Sequence, residues 1–530
     1  MRVCAPARLL VTTVFAACAV AAPAARAAAS ASTVAGRSHK TRTAHQTTTT
    51  VGKDLAGRLE RATGGAGFGQ MAVGVCVLQL APRAEVVFQR RADELFKPAS
   101  NQKVLTTAAA ACLLPPDFTY RTVLGMRGDD LVVVGAGDPS IGDPRYARQA
   151  GEPVTAVFHS WAQKLKSAGL EEIPGNLLID DSIFDDRFQP PGWSAQHGDT
   201  RWYTAGVGGL NFNDNCVDVI IRPSTPGRPA EVQLVPPTTW VQLVNQSVTA
   251  ARGEPVVART GSGPIRIVVS GQVSKANDPQ DPLSIAVPDP GAFFASAMRT
   301  SLAAQGVRIR GEIRRQRVRG ADGSLPADLR IIATHERRLA DLFWRANKCS
   351  LNLFAEAMLK TLGACDRSGQ VRGQGSFENG RAAIGAFLAS LGVSAERYVI
   401  ADGSGLSHEN RITPAALAAV LAHMDAHPRA REYRESLAQP GEAVGTLRRR
   451  MTDLKGRVFA KTGYVAGVSA LSGYVLGPQG RRYAFVVLCN DTGRSGGANP
   501  RAVQDEVCRI LAGWTGNDAA GGVTAADQQP

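Results

Sequence analysis

Ser100 and Lys103 stand three residues apart in Ser100-Asn101-Gln102-Lys103, a hydroxyl and an amine that share one face if the segment is helical. A serine hydroxyl attacks a carbonyl only when a neighbour takes its proton. A lysine takes it only if burial or nearby positive charge has lowered its pKa. Backbone N–H groups at a helix start would favour the negative charge that then develops. Ser350-Leu351-Asn352 sets a second hydroxyl and an amide two apart, on nearly opposite sides of a helix, so both face one cleft only from a turn or helix junction. There Ser350 would pass a proton to a leaving amine and Asn352 would hold a peptide group. Lys461-Thr462-Gly463 sets a cation beside a hydroxyl, a pair suited to a terminal carboxylate, with a glycine that admits a ligand backbone. The N–H of Tyr464 would join that of Ser100 in an oxyanion hole. Each motif alone recurs by chance in a chain this long. In this order, each on the element its chemistry needs, they point to acyl transfer through serine.

The flanking sequence supplies those elements. Pro98 suits a first helical position, and the Ala- and Leu-rich run from Ala99 to Leu113 is stopped by Pro115 and Pro116. Met71 to Leu80 and Ala84 to Gln89 read as strands joined by Ala81-Pro82-Arg83. Arg457 to Val465, Ser469 to Leu476 and Tyr483 to Cys489 form an antiparallel meander, with Lys461 on an edge strand, and Pro500 to Trp514 a closing helix. Between Pro116 and Leu325 lie short strand-like runs, Gly and Pro turns and two clear helices. One carries Val154, Val157, Phe158, Trp161 and Leu165 and closes at Gly169; the other carries Phe294, Ala297, Met298, Ser301 and Leu302 and closes at Gly306. Each then enters a strand, a pattern too common to argue a repeat. After Arg330 helix returns, with Leu342, Phe343 and Ala346 at helical spacing. The expected architecture is α/β, an antiparallel sheet with helices, split into 53–115 and 325–514 by a β-rich insertion over 116–324 that forms one or two extra domains. Strands from both ends of the chain would share one sheet.

The N-terminus has Arg2 and Arg8, an apolar run from Leu9 to about Ala22 and then Ala25-Arg26-Ala27, the pattern of a secretory signal peptide over 1–27. The run is shorter than the roughly 20 residues of a spanning helix. Phe15-Ala16-Ala17-Cys18 matches a lipoprotein box only loosely, so export in soluble or peripherally attached form, to a periplasmic or extracytoplasmic site, is expected over lipidation of Cys18. Residues 28–52 read as a flexible linker and 515–530 as a disordered tail. The cysteines beyond the leader lack any C-x-x-C couple and read as small core residues, with Cys76 and Cys489 on strand-like runs that would let them meet across a sheet. The net charge of +14 is scattered without interleaved aromatic residues, which argues against nucleic acid. It suits a solvated basic surface with attraction to anionic membrane or wall polymers. His423 and His427 lack a third ligand, and the Gly64 to Gly69 run precedes a strand instead of following one, so no metal or nucleotide cofactor is expected.

The three motifs, with Pro98-Ala99 ahead of the first, Gly137-Asp138-Pro139, Asp180-Asp181-Ser182 followed by Phe184, Asn213-Asp214-Asn215 and Asp402-Gly403-Ser404-Gly405-Leu406-Ser407, resemble the serine-type D-alanyl-D-alanine carboxypeptidase/endopeptidase family of class C low-molecular-mass penicillin-binding proteins. The resemblance runs from about Asp54 to Trp514. It implies a penicillin-recognising transpeptidase/β-lactamase-like fold with domains inserted between the first two motifs, and as partners peptidoglycan stem peptides and β-lactams. Carried over, Ser100 is the acylated nucleophile, Lys103 its base, Ser350 and Asn352 the second element, and Lys461, Thr462 and Gly463 the carboxylate-binding strand. Tyr464, where a small hydroxyl residue is usual, and Leu351, where a polar one is frequent, are departures expected in the cleft. Glu356, Glu378, Glu396 and Glu409 lie where a class A β-lactamase keeps its deacylating glutamate, but none has the Glu-x-x-x-Asn setting. A peptidase is expected instead.

Overall fold

Alternating apolar residues along Arg482–Asn490 build the centre of a five-stranded antiparallel sheet. Its order is Val458–Val465, Val468–Leu476, Arg482–Asn490, Ala72–Ala81 and Glu85–Arg90, so strands from both ends of the chain do share one sheet. Ala484, Val486 and Leu488 point into one layer, packed under helices Gln102–Leu113, Asn352–Ala364, Phe377–Ser390 and Pro414–Ala426. Phe485, Val487 and Cys489 point into the other, against Leu55, Leu59, Val503, Val507 and Leu511 of the first and last helices. Each such fully buried aliphatic or Phe side chain contributes about 1.5–3 kcal/mol.

This computed structural model describes residues 50–515 except Asp199. The expected leader, Cys18, nearly all of the linker and the tail lie outside them. The described residues form one compact unit. Among the described residues no helix is long and apolar enough to cross a membrane.

The two-residue period of a strand separates the cysteine pair that the sequence brought together. Cys76 stands opposite Val486 and Cys489 opposite Val73, so one thiol enters each layer and no bridge between them forms. All seven described cysteines are free.

A second five-stranded sheet lies in the middle of the chain, in the order Ile313–Arg315, Leu177–Asp180, Asp130–Val134, Thr119–Arg127, Arg330–Arg338. The last strand pairs with Thr119–Arg127, so helix resumes only after Arg338, later than the sequence pattern suggests. The two helix-glycine-strand segments lie side by side. Phe158, Trp161, Phe294 and Met298 share one core, and Glu172–Ile173 and Leu177–Asp180 pair in parallel with Arg308–Ile309 and Ile313–Arg315. Ile183, Phe184 and Val207 of the middle segment pack into the helical layer of the first sheet, which couples the two parts mechanically.

Candidate active site

Ser100 sits in a tight 3-10 turn, Ala99–Asn101, that feeds the helix Gln102–Leu113 one step later than Pro98 alone would suggest. Ala99 carries φ of +46°, a left-handed conformation that costs a non-glycine residue roughly 1–3 kcal/mol and persists only where surroundings enforce it. Two glycines do so. A Cβ at Gly405 would lie 1.8 Å from the Ala99 carbonyl oxygen, and one at Gly463 would lie 2.9 Å from both Asn101 Nδ2 and the Pro98 carbonyl oxygen. Asn101 Nδ2 in turn donates to the Lys461 carbonyl at 3.0 Å, which fixes the nucleophile turn to the third motif.

Lys103 is wholly buried under that turn, with Nζ 3.2 Å from Ser100 Oγ, 2.6 Å from Asn352 Oδ1 and 2.8 Å from the Ser404 carbonyl. Burial brings its amine down to about 7, against the pull of Glu356 and Asp402 in the other direction. The sequence motif supplied the reach; the dry site makes the amine a base near neutral pH.

Ser350 lies at the junction expected of it, between helices Phe343–Asn347 and Asn352–Ala364, with its own φ at +63°. That bend lets Ser350 Oγ accept from Lys461 Nζ at 2.8 Å while Asn352 faces Lys103. Asn352 Nδ2 donates to the Tyr203 carbonyl at 2.7 Å, which leaves one amide hydrogen uncommitted. One turn before Ser350, buried Arg345 bonds Asp143 at 2.6 Å and Asp214 at 3.1 Å, both from the middle segment. Removing one partner of such a buried pair leaves an uncompensated charge, at a cost of about 3–5 kcal/mol. Leu351 departs from its expected place in the cleft, since it is buried in the helical core.

Lys461 and Gly463 are buried, Thr462 is partly exposed, and Tyr464 is 71% exposed at the mouth. The edge strand is half covered. Ala460 exchanges backbone hydrogen bonds with Ala438 at 3.2 and 2.9 Å, and strand alternation turns the backbone groups of Thr462 and Tyr464 toward the same, uncovered edge. Lys461 Nζ also donates to the Thr462 carbonyl at 2.7 Å, and burial together with Lys103 holds its pKa well below that of a free lysine. Its amine therefore faces Ser350, while Thr462 beside it is partly exposed.

Three contributors escaped the sequence motifs. The Tyr203 and Ser404 carbonyls act through backbone, which no side-chain pattern marks. Glu356 is buried beneath Lys103, its carboxyl pushed up to about 8 by burial and by Asp402. Its position four after Asn352, on the same helix face, was the available signal. Asp402 is filled by hydrogen bonds from the N–H groups of Gly405 and Ser407, from Asn410 Nδ2 and from Trp193 Nε1, at 2.6–2.8 Å, and Asp180 by those of Ser182, Val318 and Arg319 at 2.7–3.0 Å. Asp181 pairs with Arg315 at 3.1 Å.

The chain is similar to known proteins along most of its length. The D-Ala-D-Ala carboxypeptidase 3 (S13) family matches residues 55–513. The chain is 31% identical over 475 residues to the D-alanyl-D-alanine carboxypeptidase of Actinomadura sp. (strain R39), covering 85% of this chain and 82% of that one. It is 25% identical over 426 residues to the D-alanyl-D-alanine carboxypeptidase DacB of Haemophilus influenzae, covering 77% and 83%. Its fold is similar to the crystal structure of penicillin binding protein 4 (dacB) from Haemophilus influenzae, with a TM-score of 0.66 and 22% identity over 87% of this chain and 99% of that one. With penicillin-recognising architecture, an added middle segment and a family match over almost every described residue, the chain belongs to the D-Ala-D-Ala carboxypeptidase 3 (S13) family.

Proposed function

We propose that this serine-type carboxypeptidase trims the D-alanyl-D-alanine ends of peptidoglycan stem peptides through an acyl-enzyme on Ser100. The observation that carries the proposal is the buried Lys103 amine, 3.2 Å from Ser100 Oγ with its pKa at about 7. Neutral Lys103 takes the hydroxyl proton as Ser100 Oγ bonds to the carbonyl carbon between the two D-alanines. The oxyanion is held by the N–H groups of Ser100 and Tyr464. The C–N bond then breaks, and the leaving D-alanine amine receives a proton through Ser350. Water adds to the ester, regenerates the hydroxyl and frees the shortened peptide. The Thr462 hydroxyl holds the terminal carboxylate, with the Lys461 amine behind it orienting Ser350.

Endopeptidase action follows the same steps when the bond cut links a D-alanine to a neighbouring stem, with that stem as leaving group. β-Lactams would acylate Ser100 in the same way, and action outside the cytoplasm accords with the leader read in the sequence. Purified cross-linked muropeptides test the function. Release of D-alanine from pentapeptide stems marks the carboxypeptidase and separation of dimers the endopeptidase. Intact pentapeptides and dimers after prolonged incubation would refute both.

Lys461→Ala removes the donor to Ser350 and the amine behind Thr462. D-alanine release should fall by more than about tenfold, since a charge-assisted hydrogen bond is worth on the order of 1.5–3 kcal/mol. Equal rates of variant and parent in a D-alanine assay would discard that role.

A further inference from the structure

Glu356 takes no part in the acyl transfer described above, yet it is 1% exposed in the floor of the site. Its Oε2 accepts from the Gly403 N–H at 2.9 Å and its Oε1 from the Ser404 N–H at 2.8 Å. Ser404 then offers its carbonyl to Lys103 Nζ at 2.8 Å, and Asn352, one turn before Glu356 on the same helix, offers Oδ1 to the same nitrogen at 2.6 Å. One of the two acceptors that aim the Lys103 amine at Ser100 is therefore tied through a peptide unit to the Glu356 side chain, and the other stands one turn away on the same helix. Gly403 makes the tie sterically feasible, because a Cβ there would lie 2.8 Å from the Ala355 carbonyl and 3.2 Å from Glu356 Oε2.

The same geometry excludes the role a glutamate here has in class A β-lactamases. Both oxygens are engaged by backbone N–H groups, and at 1% exposure the carboxyl meets no bulk water to activate. What it does supply is a pair of acceptors that fix the backbone beside a buried amine. The groups facing Lys103 are Glu356 and Asp402, which favour its protonated form, and the Lys461 amine, whose own proton it disfavours. A base too weak is as useless as one always protonated, and the best catalytic pKa lies near the working pH.

We propose that Glu356 is a positioning residue for acylation, holding Lys103 on Ser100 through the Gly403-Ser404 backbone. The proposal rests on Lys103 being the base, and its test separates the two. The rate of Ser100 acylation by a labelled penicillin is followed between about pH 5 and pH 9, where an amine of lowered pKa titrates. The parent enzyme should show a limb that rises as Lys103 loses its proton. In Glu356→Gln, whose amide can accept from only one of the two backbone N–H groups, the plateau should fall by on the order of tenfold while the limb stays near that of the parent. In Glu356→Asp, which keeps both acceptors on a shorter arm, the limb should stay near that of the parent while the plateau falls. A Glu356→Gln plateau equal to the parent's overturns the proposal and leaves the lysine base standing; a parent with no limb overturns both. If Glu356→Gln fails to fold, Glu356→Asp decides, since a plateau equal to the parent's overturns the positioning role.

Discussion

Ser100→Ala is expected to abolish labelling by penicillin and D-alanine release together, with a loss on the order of a thousandfold or more, because no other group supplies the nucleophile. Intact mass after incubation with a β-lactam gives the answer directly: the parent gains one adduct and the variant none. The variant should remain folded. Ser100 is only partly buried, and its one side-chain bond in the site is the 3.2 Å contact from Lys103, which keeps its two other acceptors when the hydroxyl is lost. A net hydrogen bond is worth about 1 kcal/mol, so the thermal midpoint should move by a few degrees at most. An adduct that survives in Ser100→Ala would place the nucleophile elsewhere.

Lys103→Met should lower the acylation rate by about a hundredfold to ten-thousandfold, the range that a positioned general base contributes. The sign of the pH effect follows from the chemistry. Protonated Lys103 cannot accept the Ser100 proton, so parent activity should be small below its pKa of about 7 and rise as pH increases through it. Methionine fills most of the lysine volume without a charge, and residual acylation in this variant should lose that limb. A variant that keeps the same pH limb would show that another group titrates there. The substitution would also leave Asn352 Oδ1 and the Ser404 carbonyl without their donor in a buried site. Circular dichroism and a melting curve are therefore read alongside the kinetics, to separate a lost base from a lost fold.

The placement of the candidate residues was legible in sequence because it depends on residue types at fixed local spacing. Ser100 and Lys103 meet through i and i+3, and the placement of Ser350 and Asn352 at a helix junction followed from their separation of two, as the observed φ of +63° at Ser350 bears out. Strand-like runs at both ends of one split domain likewise foretold a shared sheet, and strands from both ends do pair in it. The period of a strand defeated the guess about Cys76 and Cys489, since which face each residue takes depends on pairing register, and register is set by contacts between strands hundreds of residues apart. The side-by-side pairing of the two helix-glycine-strand segments was likewise invisible, because helix followed by glycine and strand is common whether or not two copies pack together.

By itself, then, the sequence determined the order of the three motifs, the elements they ride on and the class of reaction they can perform, all consequences of short-range geometry. Tertiary structure alone decided the strength of Lys103 as a base, which comes from complete burial between Glu356, Asn352 and Ser404. It also decided that Lys461 faces Ser350, and that the Tyr203 carbonyl from the middle segment steadies Asn352. Desolvation and backbone hydrogen bonds between segments far apart in the chain are properties of enclosure, and nothing encloses a residue until the chain has folded around it.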